Sequence, residues 1–364
     1  MNILEFCLSP GFGGLELYVI KTSRWFRQSG IPVRVLARKG SLIDKQLTDD
    51  GMLVDYLSTI THHLPLISAY KLARYIDKHE IDVVHMHWGK DLFLAVLGKL
   101  LSKRKPKLVY TRQMAITKYK HDLYHKFVYK NLDTFICITK ELEKEAKKYL
   151  PIAHEKIKQL YYGVDKPKES DKHQCKELLE KCGFHESEFN IGLFGRIEEG
   201  KGQHLLVEAV SHLRKNSFKV NAALIGHVMD EKYYQRLMGK IKQRNLEKSI
   251  KHLGFLENAP LLMGCFDAIV LASRKETFGL VLIEAMRAGT AVIGTNAGGV
   301  PEIIDNGVNG LLFEPDDWHG LSNNIEVLVR EKSKLEGMVS KGRDKAVMLF
   351  DINNHFENFI KIIM

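Results

Sequence analysis

Glu276 and Glu284 frame the stretch Arg274 to Gly289, with Phe278, Gly279 and Leu280 between them. The pattern places the first glutamate in a loop after an apolar strand and the second inside the helix that follows. The residues between then present backbone N–H groups at a helix N-terminus, where the first turn has no intrahelical acceptor. Such a site suits a ligand with an anionic centre and hydroxyls on both flanks. A nucleoside diphosphate sugar, with ribose, diphosphate and hexose in series, is one. A second constellation lies in Leu193 to Gly202, where Gly195 ends a strand, Arg196 follows, and Lys201 with Gly202 opens a helix. Two cations there form a diphosphate clamp, and in a transferase they neutralise the departing diphosphate. The plainer alternative pairs them with the adjacent Glu198 and Glu199 as ordinary surface charges.

The elements that must position these groups alternate between strand and helix. In the first half, strands are expected over 2–8, 32–37, 54–57, 82–87, 107–111 and 134–138. Helices are expected over 15–29, 68–78, 92–99, 118–130 and 141–149, the last capped by Thr139. The polar segment 163–172, with Gly163 and Pro167, reads as a linker. The pattern then restarts, with strands at 190–194, 222–225, 250–253, 268–271, 291–295 and 310–313. Short apolar strands separated by helices imply parallel sheets covered on both faces. The expected fold is α/β, with two Rossmann-like, doubly wound domains facing each other across a cleft. The first spans 1–166 and the second 167–349, and ligands bind beyond the carboxyl ends of the strands.

The net charge of +10 is unevenly spread. Residues 1–166 hold 28 Lys/Arg against 17 Asp/Glu, and residues 167–364 hold 26 against 27. A basic first half suits an anionic membrane surface, nucleic acid or an acidic substrate. The stretch Lys118 to Lys130 interleaves lysines with aromatics, which fits peripheral contact with anionic lipid; single-stranded nucleic acid is the rival occupant. No signal peptide or membrane-spanning run is evident, and the five scattered cysteines read as reduced thiols, so the expected location is cytoplasmic, with the inner face of the plasma membrane as a docking surface.

Taken in order, Gly195-Arg196…Lys201-Gly202, Glu276-x7-Glu284, Ala288-Gly289, Gly298-Gly299-Val-Pro-Glu302 and Asn309-Gly310 resemble the retaining GT-B glycosyltransferases of family 4. The resemblance runs over nearly the whole chain and is densest from 190 to 315. It implies that Arg196 and Lys201 bind the donor diphosphate, that Glu284 accepts hydrogen bonds from the ribose, and that Glu276 contacts donor-sugar hydroxyls. Gly195, Phe278, Gly279 and Leu280 complete the donor site. Arg196, Lys201 and Glu276 are the catalytic candidates. Gly13 and Gly14, followed by Glu16, resemble the family's glycine-rich first loop, which approaches donor phosphate and acceptor. The final helix, about 350–364, is implied to return to the first domain.

Two departures stand out: Gln113 occupies a position where many relatives carry histidine, and Gly226-His227 replaces a Gly-Asp-Gly pattern. His85 and His87 alternate on a strand and so point the same way. They are a weak metal pair with no obvious carboxylate, and His85 is retained as an acceptor or donor-sugar candidate beside Glu16 and Gln113. No metal or other cofactor is implied, since no Asp-x-Asp motif is present and the nucleotide sugar is a co-substrate. No residue reads as a covalent nucleophile, so front-face transfer with retention of anomeric configuration is expected, in the assembly of surface polysaccharide or lipopolysaccharide. The alternatives are a nicotinamide-dependent oxidoreductase, disfavoured by a missing third glycine in the first loop, and a nucleic-acid-binding protein, for which no motif is present.

Overall fold

In the computed structural model, residues 1–11, 13–57, 65–167, 171–256 and 259–364 are described. The chain divides into two compact units, 1–161 with 355–364, and 162–354. The division falls just ahead of the polar stretch 163–172.

The first unit is built on seven strands: β1 (Ile3–Cys7), β2 (Val33–Ala37), β3 (Val54–Tyr56), β4 (Val83–Met86), β5 (Lys107–Arg112), β6 (Thr134–Cys137) and β7 (Ile157–Gln159). They lie in the order β3-β2-β1-β4-β5-β6-β7, all parallel. β1 is buried along its whole length, as a central strand covered on both faces must be. Phe359 and Ile363 of the last helix, Ile352–Ile363, pack with Ile3, Phe26, Val83 and Val109, and Trp25 stacks on Phe356 at 4.7 Å. The aromatic stripe of that helix thus completes the core under β1.

The second unit has six strands: β8 (Phe189–Phe194), β9 (Val220–Ile225), β10 (Ile250–His252), β11 (Ala268–Leu271), β12 (Ala291–Thr295) and β13 (Leu311–Phe313). Their order is β10-β9-β8-β11-β12-β13, again parallel throughout. In each sheet the winding reverses beside the first strand, between β1 and β4 and between β8 and β11. Ligands of open parallel sheets bind at such reversals.

Three expectations need correction. The helix expected over 118–130 begins only at Leu123, because Asp122 caps it by accepting the His125 amide at 3.1 Å. Cys175 and Cys265 are joined by a disulfide, while Cys7, Cys137 and Cys182 are free and buried. His85 and His87 do have a carboxylate partner, Glu5 of β1. Its two oxygens take His85 Nδ1 at 2.9 Å and His87 Nε2 at 2.6 Å, with all three side chains fully buried.

This polar cluster makes the first unit acid-sensitive. Burial opposes ionisation of Glu5, but the two imidazoles outweigh it and hold its carboxyl at about 2. Burial, with His85 adding to it, lowers His87 to about 4. Burial likewise lowers His355 to about 4; its Nε2 meets the Tyr18 hydroxyl at 2.9 Å and its Nδ1 the Tyr161 carbonyl. Both histidines are neutral when folded and accept protons more readily when unfolded. Their contribution is complete above pH 6.5 and is lost as pH falls toward 4, at about 1.4 kcal/mol per pH unit for each group. The Glu5 contribution persists above pH 4.5 and is lost toward pH 2. Urea denaturation of the first unit is expected to show a falling midpoint from pH 7 to 4.5, and His355→Gln should flatten part of that slope. A midpoint independent of pH over this range contradicts the assignment.

Candidate functional site

The sequence-singled residues of the second unit converge at the switch between β8 and β11. After β8 the chain passes Gly195 and Arg196, makes a short 3-10 turn Glu199–Lys201, and enters the helix Gln203–Lys215 at Gly202. After β11 it passes Glu276 and Phe278 and enters the helix Leu280–Ala288 from Gly279, whose φ of 101° is the left-handed region. Lys201 Nζ and Glu276 Oε2 meet at 2.8 Å, each side chain about a quarter exposed. Arg196 pairs with Glu198 at 2.9 Å and is otherwise open to solvent. Glu199 lies 3.5 Å from Arg236 instead, so the surface-pairing alternative describes Arg196 but not Lys201.

Close backbone packing sets this geometry. A Cβ on Gly202 would lie 2.1 Å from the Ala272 carbonyl oxygen, and one on Gly298 would lie 1.9 Å from that of Glu276. The Glu276 carbonyl also accepts the Gly299 amide at 3.0 Å. The loop carrying Lys201 therefore rests on the end of β11, and the Gly298-Gly299 loop after β12 rests on Glu276. Phe278 turns inward, edge-on to Tyr162 at 5.6 Å and Phe350 at 5.9 Å, which leaves its backbone rather than its ring at the helix entrance. Glu284 sits half-buried in the second turn of that helix.

Two features here gave no usable sequence signal. His227 stacks on Phe255 at 4.5 Å with ring planes 5° apart, at the ends of β9 and β10. The Ser273 hydroxyl, just past β11, is buried without a hydrogen-bond partner among the described residues.

In the first unit the candidates scatter. Gly13 precedes and Gly14 begins the helix Gly14–Gln28. Gly13 has φ −171°, and a Cβ on Gly14 would meet nothing within 4 Å, so neither position demands glycine on conformational grounds. Glu16 is buried and accepts a hydrogen bond from Ser9. Gln113 follows β5, and its amide nitrogen is buried without a partner among the described residues. His85 faces no surface: it is 0% exposed, and Glu5 and Thr111 Oγ1 (2.7 Å) occupy its ring nitrogens, so its candidacy as a ligand-contacting group is corrected. Glu5, His85 and His87 are the described residues that could hold a metal, with ligand atoms within 4.8 Å of one another. Their 2.6 and 2.9 Å separations are hydrogen bonds, which an ion would have to displace.

Two parallel doubly wound units, the second with its candidate groups at the central switch point, match the GT-B class of glycosyltransferase. The comparisons agree. Residues 12–167 match the family model "Glycosyltransferase Family 4" and residues 175–345 the model "Glycosyl transferases group 1". The chain belongs to this glycosyltransferase family. It is 26% identical over 373 residues to the Escherichia coli UDP-Gal:alpha-D-GlcNAc-diphosphoundecaprenol alpha-1,3-galactosyltransferase, covering 97% of this chain and 94% of that one. It is 25% identical over 294 residues to the N-acetyl-alpha-D-glucosaminyl L-malate synthase of Bacillus anthracis, covering 78% and 75%. A glycosyltransferase structure from Rickettsia africae superposes with a TM-score of 0.91 at 21% identity, covering 100% of this chain and 97% of that one. Anabaena HepE in complex with UDP superposes with a TM-score of 0.86 at 24% identity, covering 99% of each.

The glycine constraint is testable without any ligand. Gly298→Ala combines a left-handed φ of 60° with the 1.9 Å clash and should destabilise the second unit by at least about 2 kcal/mol in urea denaturation. Gly239→Ala, with open space inside the helix Glu231–Gln243, should stabilise by about 0.5–1 kcal/mol. Equal effects from the two would contradict the packing argument.

Proposed function

We propose that this glycosyltransferase moves a hexose from a UDP- or GDP-sugar to a glycan or lipid-linked acceptor, with retention of configuration, in surface polysaccharide or lipopolysaccharide assembly. The observation that carries the reading is the meeting of Lys201 and Glu276 beside Arg196, at a switch point and a helix entrance. A donor diphosphate takes over Lys201 from Glu276 and draws Arg196 from Glu198. Glu276, released, is free to accept hydrogen bonds from donor-sugar hydroxyls, and Glu284 lies one turn into the helix to receive the ribose. As the glycosidic bond to phosphate breaks, negative charge grows on the leaving oxygen. Arg196 and Lys201 stabilise that charge more than they stabilise the ground state, which lowers the barrier. Glu276 orients the sugar and does not attack it; the departing phosphate oxygen accepts the acceptor's proton. The site residues supply this charge themselves, so the proposed reaction needs no divalent cation. The names of the relatives support the donor class: one uses UDP-Gal, and HepE has been crystallised with UDP and UDP-glucose.

A peripheral membrane contact through the first unit, at the cytoplasmic face of the membrane, belongs to the same proposal. No described helix is long and apolar enough to cross a membrane. The helix Leu123–Lys130 exposes Leu123 (85%), Tyr124 and Phe127 and carries the exposed Lys126 and Lys130. Exposed apolar groups on a helix that also carries lysines complement an anionic lipid surface.

A thermal-shift screen of UDP- and GDP-sugars should identify the donor, since binding to the folded state raises the midpoint. Arg196→Ala and Lys201→Ala should each lower kcat by about 10²–10³ while changing donor KM far less. Wild-type turnover in the double variant would defeat the assignment. Leu123→Glu with Phe127→Glu should abolish co-sedimentation with anionic vesicles; retained binding removes the membrane contact from the reading.

A further inference from the structure

The disulfide Cys175–Cys265 joins two pieces of the second unit that the fold holds very unequally. Cys265 ends the 3-10 turn Met263–Cys265, which is anchored at several points. Met263 is buried, and its carbonyl accepts the Thr290 hydroxyl at 2.9 Å. Phe266, next in the chain, is buried edge-on to Phe194 at 5.9 Å, and the Asp267 carboxylate accepts the Asn190 amide at 2.7 Å. Cys175 lies in the first half of the helix Lys172–Cys182, where the reverse holds. Lys172, His173, Gln174, Lys176 and Glu177 are all exposed, and the helix buries only Leu178, Leu179 and Cys182, at its far end. Its ion pairs, His173 with Glu177 at 3.1 Å and Lys176 with Glu180 at 3.9 Å, run along the helix and not to the sheet. Among the described residues, the disulfide is the one bond that ties this half of the helix to the rest of the unit.

A protein disulfide resists reduction to the extent that the rest of the fold holds its two thiols together once they are reduced. A half-helix with no other tie holds Cys175 loosely, so this bond is more readily opened than one set between two fixed elements. Access is present as well. Cys175 and Cys265 are each half-buried, whereas Cys7, Cys137 and Cys182 are buried. Burial raises the pKa of all three free thiols, that of Cys182 to about 11, which keeps them protonated and unreactive at neutral pH. We propose that Cys175–Cys265 is a site of reversible thiol–disulfide exchange with a small-molecule thiol of the glutathione class. One small thiolate attacks a sulfur of the pair, forms a mixed disulfide and displaces the other cysteine as thiolate. A second small thiolate attacks the mixed disulfide and releases the remaining cysteine. The protein disulfide gains two electrons, two small thiols become one small disulfide, and their two protons pass to the cysteines. Opening the bond frees the first half of the helix Lys172–Cys182 and leaves the turn Met263–Cys265 seated. The choice of glutathione rests on the cytoplasmic location proposed above, where thiols prevail over disulfides; the exchange itself does not.

The test is thiol mapping of the native protein. It is equilibrated without denaturant in reduced or in oxidised glutathione, labelled with N-ethylmaleimide and read by mass spectrometry. Cys175 and Cys265 should label after reduced glutathione and not after oxidised, and returning the reduced protein to oxidised glutathione should restore the bond. Cys7, Cys137 and Cys182 should stay unlabelled in both. Limited trypsin digestion reads the helix: cleavage after Lys172 and Lys176 should be at least about fivefold faster in the reduced protein, since local opening exposes the backbone. Cys175→Ser/Cys265→Ser should be cleaved at the reduced rate in either buffer; if that variant does not fold, the two wild-type states supply the comparison. A bond that survives excess reduced glutathione in the native protein is a structural staple and overturns the proposal. So does a pair that stays unlinked in oxidised glutathione, whether free or carrying glutathione, or equal cleavage of the two states. None of these measurements involves a nucleotide sugar, so the donor reading stands or falls separately.

Discussion

Backbone packed directly on backbone, at the carboxyl ends of the strands, is the constraint on which the second unit's site depends. Gly202 lies against the Ala272 carbonyl, Gly226 against the Gly195 carbonyl and Gly298 against the Glu276 carbonyl, each with about 2 Å to a built Cβ (2.1, 2.1 and 1.9 Å). All three glycines have positive φ. No side chain fits any of these positions, so the loops after β8, β9, β11 and β12 are locked to one another by contact rather than by ion pairs. The Lys201–Glu276 pair is the consequence of that lock. A pair about a quarter exposed stabilises by no more than about 1 kcal/mol and would not by itself hold two loops in place. So weak a pair can be parted at little cost while the backbone beneath it stays still.

The first unit is held on a different principle. Its central strand carries a charged side chain, Glu5, inward, and two imidazoles, His85 of β4 and His87 just past it, satisfy both oxygens. Tyr18 stands edge-on to both rings and joins His355 of the last helix by a hydrogen bond. The helix that closes this core is therefore tied to the sheet by a polar chain as well as by Phe356 and Phe359. Polar clusters of this kind add little net stability, but each member lost leaves another buried and unpaired. That asymmetry ties the seating of the last helix to the protonation of two histidines.

Much of this architecture was legible because the strands are short, apolar and regularly spaced, so β1, β8, β11 and β12 could be placed within a residue or two. The convergence of Lys201, Glu276 and Gly298 in the second unit was legible because these cations, carboxylates and glycines lie within local motifs at strand ends. What stayed hidden depends on distance or on competing local chemistry. The helix Lys172–Cys182 is polar along most of its length and so gave no apolar stripe by which to expect it. Asp122 prefers to cap, which removed the first turn expected of the helix after β5. The partner of His85 and His87 sits 80 and 82 residues away, on a strand that becomes their neighbour only when the crossovers are complete. Cys175 and Cys265 are 90 residues apart, and nothing in their local sequence marks them as a pair.

The two units handle positive charge in opposite ways at equivalent places, the loops leaving the carboxyl ends of a parallel sheet. In the second, each cation has a carboxylate at hand: Lys201 has Glu276 and Arg196 has Glu198. The field there is close to balanced. In the first, Arg112 is braced only by carbonyls and a phenol. The field there is unbalanced, in a unit whose residues 1–166 already carry 28 basic against 17 acidic side chains. A standing positive field draws anions at long range and without discrimination, whereas a paired site responds only to a ligand able to replace both partners. The contrast in local field follows from where the carboxylates are, not from any difference in fold.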